Sequence, residues 1–92
     1  MARLKHIYGS KFKPGIRFRI DGNMVHFIDE DFSSPEDPVA SYNIDNRTQR
    51  HNQKYFFTST YNHSLKVHRL TLCCSNNTDE ILGELILVEE DY

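Results

Sequence analysis

The chain is expected to be mainly β: a small barrel or curled antiparallel sheet of six to seven short strands, with room for one short helix. Three observations predict it. Alanine, the best helix former, occurs only at Ala2 and Ala40, while Val, Ile, Thr, Tyr and Phe are frequent. Ile16-Arg17-Phe18-Arg19-Ile20 alternates strictly, which puts three apolar side chains on one face of a strand and two arginines on the other. Short β-prone runs then recur between clusters of turn-forming residues. At 92 residues the expectation is one domain, 1–92, with a modest core to which six Phe and five Tyr contribute large side chains.

The elements follow in order. Asp21-Gly22-Asn23 links Ile16–Ile20 to Met24-Val25-His26-Phe27-Ile28, and two β-prone runs across a Gly-containing loop read as an antiparallel hairpin. Residues Glu30 to Pro38 hold two prolines and a series of acids, so they form an exposed loop. Val39 to Ile44 suits a short strand and Asp45 to Gln53 a polar loop. Tyr55–Tyr61 and Leu65–Leu72 are β-prone, and Asn62-His63-Ser64 makes them a second hairpin. In Leu65–Leu72 the apolar phase shifts between Val67 and Leu70, which predicts a bulge near His68-Arg69. Thr78-Asp79-Glu80 resembles a helix N-cap, but Gly83 interrupts the run and Glu89-Glu90-Asp91 would face the negative end of a helix dipole. A strand through Leu85–Val88 is favoured, with at most one helical turn before it.

Charge is segregated into four blocks. Residues 1–28 hold Arg3, Lys5, Lys11, Lys13, Arg17 and Arg19 against Asp21 alone. Residues 29–46 hold Asp29, Glu30, Asp31, Glu36, Asp37 and Asp45 with no base. Arg47, Arg50, Lys54, Lys66 and Arg69 follow with no acid, and Asp79, Glu80, Glu84, Glu89, Glu90 and Asp91 close the chain with no base. Basic strands lying beside acidic ones would neutralise this pattern. Separate basic and acidic faces would instead steer an oppositely charged partner.

The basic set Arg17, Arg19, Arg47, Arg50 and Lys54, with Tyr55 or Phe56 as a base-stacking ring, is a candidate surface for nucleic acid or an acidic partner. The net charge of −2 argues against nucleic acid, whose binding domains are usually strongly basic. Asp29, Glu30, Asp31, Phe32, Glu36 and Asp37 form a candidate surface for a basic partner, with Phe32 as an apolar anchor. The same loop lacks the spacing of an EF-hand. Ser33 and Ser34 lie among acids, a context that acid-directed kinases accept.

His51, His63, His68, Cys73 and Cys74 match no metal-ligand spacing, so no metal is expected. Adjacent cysteines rarely bridge, so free thiols and a reducing cytoplasm are expected. Asn46, Asn62 and Asn76 each open an Asn-x-Ser/Thr triplet, which chance explains in a chain with seven asparagines. No apolar stretch approaches the ~20 residues that span a bilayer, so no membrane association is expected. No Gly-rich phosphate loop or nucleophile–base spacing occurs, so neither a cofactor nor enzymatic activity is expected.

The Asn-, Lys-, Tyr- and Phe-rich, Ala-poor usage resembles that of accessory proteins encoded by phages and other mobile elements. This likeness of composition implies a host macromolecule as partner and transfers no residue. The leading expectation is a small non-enzymatic interaction protein, an inhibitor or adaptor acting through charged faces on a protein partner. Alternatives are a nucleic-acid-binding small β-barrel module and a structural subunit assembling through sheet edges.

Overall fold

A computed structural model describes residues 2–31, 37–75 and 77–91, with the backbone alone for 2–6, 77–79 and 90–91. The fold is all-β. Its strands are β1 (Ala2–Phe12), β2 (Ile16–Asp21), β3 (Met24–Asp29), β4 (Ala40–Asn43), β5 (Gln49–His51), β6 (Tyr55–Asn62), β7 (Val67–Cys74) and β8 (Asn77–Asp91). They form two four-stranded antiparallel sheets, β2-β3-β4-β5 and β1-β8-β7-β6. The mainly-β expectation holds, with eight strands in two sheets rather than six to seven in one small barrel or curled sheet. The chain runs up and down through β2–β5, crosses to β6, and continues to β8, where β1 closes the order. The seam between β5 and β6 has no ladder. Gln49 spans it, its Nε2 donating to the Phe57 carbonyl at 3.1 Å and its Oε1 accepting from Ser59 Oγ at 2.7 Å.

The first hairpin forms as the alternation predicts, with Phe18 opposite Phe27 and Asp21 opposite Met24. Its loop is therefore two residues, Gly22-Asn23. Gly22 has φ +62° and Asn23 no positive φ, as a type II′ turn requires of its first central residue. Ala40–Asn43 supplies the expected short strand. Within the expected polar loop, Gln49–His51 pairs with β4 as β5. The second hairpin also forms, with β7 beginning at Val67.

The bulge expected at His68-Arg69 is absent; the irregularities of β7 lie between Leu72 and Cys74. The physical reason is that His68 itself points inward. His68, Leu70 and Leu72 are all fully buried on one face, and Leu65 lies outside the strand, exposed in the turn. The C-terminal run is strand from Asn77 onward, with no helical turn in the described residues. β1 carries no clean alternation in sequence because two register shifts, at Leu4/His6 and Ile7/Gly9, break its parity.

The core lies between the sheets. Val25, Phe27, Val39, Tyr42 and Ile44 meet Tyr55, Phe57, Leu70, Leu72, Leu85 and Leu87. Phe27 and Phe57 touch across the interface with centroids 5.3 Å apart. Each fully buried apolar side chain contributes about 1.5–3 kcal/mol. Phe12 stacks on Phe18 at 5.3 Å and lies over its cross-strand partner Gly83, where a Cβ would collide with the ring.

Two polar contacts pin the sheets at separate points. Tyr55 of β6 donates to the Asp29 carboxylate of β3 at 2.5 Å. Tyr42 of β4 meets His68 Nδ1 at 2.7 Å, and His68 Nε2 meets Glu89 Oε2 at 2.6 Å. A carboxylate only accepts, so Nε2 carries the proton. In the neutral ring Nδ1 is then the acceptor, so the Tyr42 hydroxyl donates to it and the chain of bonds is satisfied; burial raises the Tyr42 phenol to about 12.

Candidate anion-binding face of the first sheet

Strand parity sends every second residue of β2–β5 outward, and the registers then align one residue from each strand. Arg19 lies opposite His26, His26 opposite Ser41, and Ser41 opposite Arg50. Four strands thus carry one transverse row, with the two arginines at its ends and about 14 Å between their backbones. Inside the row, His26 Nδ1 and Ser41 Oγ are 2.8 Å apart. Beside it opens a cleft of about 450 Å³, lined among others by His26, Asp37, Ser41, Arg50, His51 and Asn52.

Arg19 and Arg50 are exposed, and no described carboxylate lies within ion-pair distance of either. The His26–Ser41 pair retains a donor in either neutral tautomer. If the serine hydroxyl donates to Nδ1, the Nε2 proton is free; if Nδ1–H donates to Oγ, the hydroxyl proton is free. The pair and the arginines therefore present hydrogen-bond donors to an anion.

The basic residues singled out in the sequence separate into groups. Arg19 and Arg50 share the row. Arg17 lies on the same face but pairs with Glu30 at 3.2 Å. Arg47 adopts φ +59° in the β4–β5 turn and lies over the Tyr61 ring, 5.1 Å from its centroid, away from the row. Lys54 is exposed in the turn before β6. Tyr55 is unavailable for stacking, because it is 3 % exposed with its hydroxyl on Asp29; its neighbour Phe56 is the outward ring. Burial, and after it the contact with Asp29, raises the Tyr55 phenol above its ordinary range.

The acidic set separates as well. Asp29 is buried at the end of β3, so it serves the core rather than a basic partner. Glu30 and Asp31 are exposed, Asp37 lines the cleft, and Phe32 and Glu36, like Ser33 and Ser34, lie outside the described residues. Acidic and basic candidates meet at the cleft instead of occupying opposite faces.

His26 and Ser41 were not anticipated, although parity carried the signal. Val25 and Phe27 point inward, so His26 points outward; Ala40 and Tyr42 do the same for Ser41. The His68 network was missed because a histidine between apolar residues leaves its side unmarked. Glu89, His68 and Tyr42 stand in the order of an acid, a base and a nucleophile, but Tyr42 is 1 % exposed and His68 wholly buried. They lie inside the core and join the two sheets as a structural pin.

Cys73 and Cys74 are free, and burial raises the Cys73 thiol, which disfavours the nucleophilic thiolate. No cluster of potential metal ligands occurs among the described residues. No helix there is long and apolar enough to cross a membrane. No protein-family model matches the chain, and no curated protein or solved structure matches it either.

Proposed function

We propose that the protein is a non-enzymatic interaction module that docks an acidic segment of a protein partner across the outer face of the β2–β5 sheet. The observation that carries this reading is the row Arg19–His26–Ser41–Arg50, whose arginines have no described acidic partner. Exposed charges without an internal role are suited to steering an oppositely charged ligand. The His26–Ser41 pair alone is a weak basis for catalysis: no described carboxylate hydrogen-bonds His26 as an orienting group, and an acyl-transfer site needs one.

A glutamate-rich peptide titrated into labelled protein tests the reading. Amide shifts are expected at residues 19, 26, 41 and 50, weakening as salt rises from 20 to 200 mM. Shifts confined to the other sheet would overturn it. Nucleic-acid binding is the second reading, favoured by the placement of Arg19 and Arg50 in one row. Two phosphate contacts would give a log–log salt slope of roughly −1.8 on a random duplex. The burial of Tyr55 and the presence of Asp37 in the cleft count against it.

A further inference from the structure

The acidic-segment reading leaves the chemistry of the anion open, and the cleft beside the row narrows it. We propose that this cleft takes a phosphomonoester, presented as a phosphoserine or phosphothreonine next to a basic residue of the partner. The inference rests on the docking reading above and concerns the same face.

The donors are the first argument. Arg50 brings a planar fork of N–H groups, and the His26–Ser41 pair beside it in the row keeps one spare proton in either tautomer. These groups sit on β3, β4 and β5 and approach one volume from different strands. A carboxylate offers two oxygens to such a set, whereas a phosphomonoester offers three and carries about −1.5 to −2 charge at neutral pH. The cleft volume of about 450 Å³ accommodates a side chain of that size.

The second argument is the mixed charge of the lining. Asp37 stands in the cleft with Arg50, yet the two form no ion pair. A polyanion laid along the face would meet Asp37 as a repulsive group. A phosphorylated residue with a lysine or arginine beside it would place its phosphate on Arg50 and its cation on Asp37. Charge complementarity therefore favours one discrete dianion within a mixed-charge peptide over a continuous phosphate track.

The third argument is that these polar groups are not consumed by the fold. Ser41 Oγ bonds the outward-facing His26 rather than a core group, and no described carboxylate pairs with Arg50. Replacing Ser41 or Arg50 should leave the core intact, so binding can be tested apart from folding.

The test uses the whole chain and three peptides of one sequence. Each has a central position flanked by lysines, occupied by phosphoserine, glutamate or serine. Binding is followed by calorimetry and by amide shifts. The phosphoserine peptide is expected to bind at least tenfold more tightly than the glutamate peptide, with shifts centred on residues 26, 41 and 50–52. Arg50→Gln should weaken it by about tenfold or more, as expected for loss of a charge-assisted contact. Ser41→Ala should weaken it by a smaller factor, and so should Asp37→Asn, by removing the carboxylate that faces the flanking lysines.

Equal binding of the phosphoserine and glutamate peptides on this face would overturn the phosphomonoester proposal and leave the docking reading standing. If none of these peptides nor the glutamate-rich one shifts this face, both fall. A random oligonucleotide that binds more tightly than any peptide and is lost in Arg50→Gln would replace both with the nucleic-acid reading. Unchanged melting temperatures of Arg50→Gln and Ser41→Ala would establish that any loss of binding is local.

Discussion

The outward faces of the two sheets differ in whether their charges are answered. On the β1-β8-β7-β6 sheet, Arg69 places Nη2 2.9 Å from Glu84 on the adjacent strand, and Lys13 pairs with Glu80. The basic β1 lies along the acidic β8, with Lys11 opposite Glu84. On the β2-β3-β4-β5 sheet, Arg17 pairs with Glu30, but Arg19 and Arg50 meet no described acid. The same segregated blocks therefore serve two ends. Where basic and acidic strands become neighbours, the pattern stabilises the sheet slightly; where they do not, it leaves a charged surface for a partner. Stability should depend on the interior pins and the β1-β8-β7-β6 sheet, and binding on the outward face of β2-β3-β4-β5.

The largest effect is expected from the pin between the sheets. His68→Ala removes a fully buried ring and leaves the Glu89 carboxylate without its imidazole partner. Loss of one partner of a buried polar pair, added to the cavity, should cost about 3–5 kcal/mol in chemical denaturation. A loss below about 1 kcal/mol would mean that the network contributes little to holding the sheets together.

Alkaline pH probes the same pin without mutation. Tyr42 titrates near 10 in the unfolded chain and about 12 when folded, principally because burial disfavours the phenolate. A raised folded value means that its contribution is fully present below pH 10 and is lost as pH climbs from 10 to 12. Two units correspond to about 3 kcal/mol. Tyr55 and Tyr61 are shifted in the same direction, so they steepen the loss. Tyr42→Phe should flatten the alkaline slope of the unfolding free energy, and an unchanged slope would contradict this assignment.

Gly83 tests the β1-β8-β7-β6 sheet directly. Phe12 covers this glycine from the neighbouring strand, and an added Cβ would meet the ring rather than open space. Gly83→Ala should destabilise by about 1–3 kcal/mol, the range for overpacking. At Gly9 a Cβ meets nothing within 4 Å, so Gly9→Ala on the same sheet is the control and should change little.

These expectations show which parts of the fold were legible in the sequence. The hairpin at 16–28 was, because Ile16, Phe18 and Ile20 alternate with arginines and Gly22 marks the turn. The two-sheet arrangement was not, because no local pattern states which strand becomes the neighbour of which. β5 was invisible for a related reason: Gln49-Arg50-His51 is wholly polar and is strand only by virtue of pairing with β4. The candidate site was half legible. Arg19 and Arg50 stood out as bases, but only the registers across four strands brought them together, with His26 and Ser41 between them. Tyr55 misled because an aromatic beside a basic loop can face either way, and here its hydroxyl is drawn inward to Asp29.

The smallest effect sharpens the comparison most, since it asks whether two kinds of surface arginine differ. Arg69 is exposed but shares Glu84 through both Nε and Nη2, at 3.2 and 2.9 Å. Exposed pairs of this kind are worth about 0.2–1 kcal/mol, so Arg69→Gln should lower stability within that range and should do so less at high salt. Arg19 and Arg50 have no such partner among the described residues. Arg19→Gln with Arg50→Gln should therefore leave the unfolding free energy unchanged within about 0.5 kcal/mol. The two experiments diverge in binding, where the Arg69 variant should retain affinity for an acidic peptide and the double variant should lose it. If the double variant instead destabilises the fold as much as the Arg69 variant does, the outward face of β2-β3-β4-β5 is held by contacts of its own. Its arginines then serve the sheet in the same way as Arg69 serves the other, and the contrast between the faces disappears.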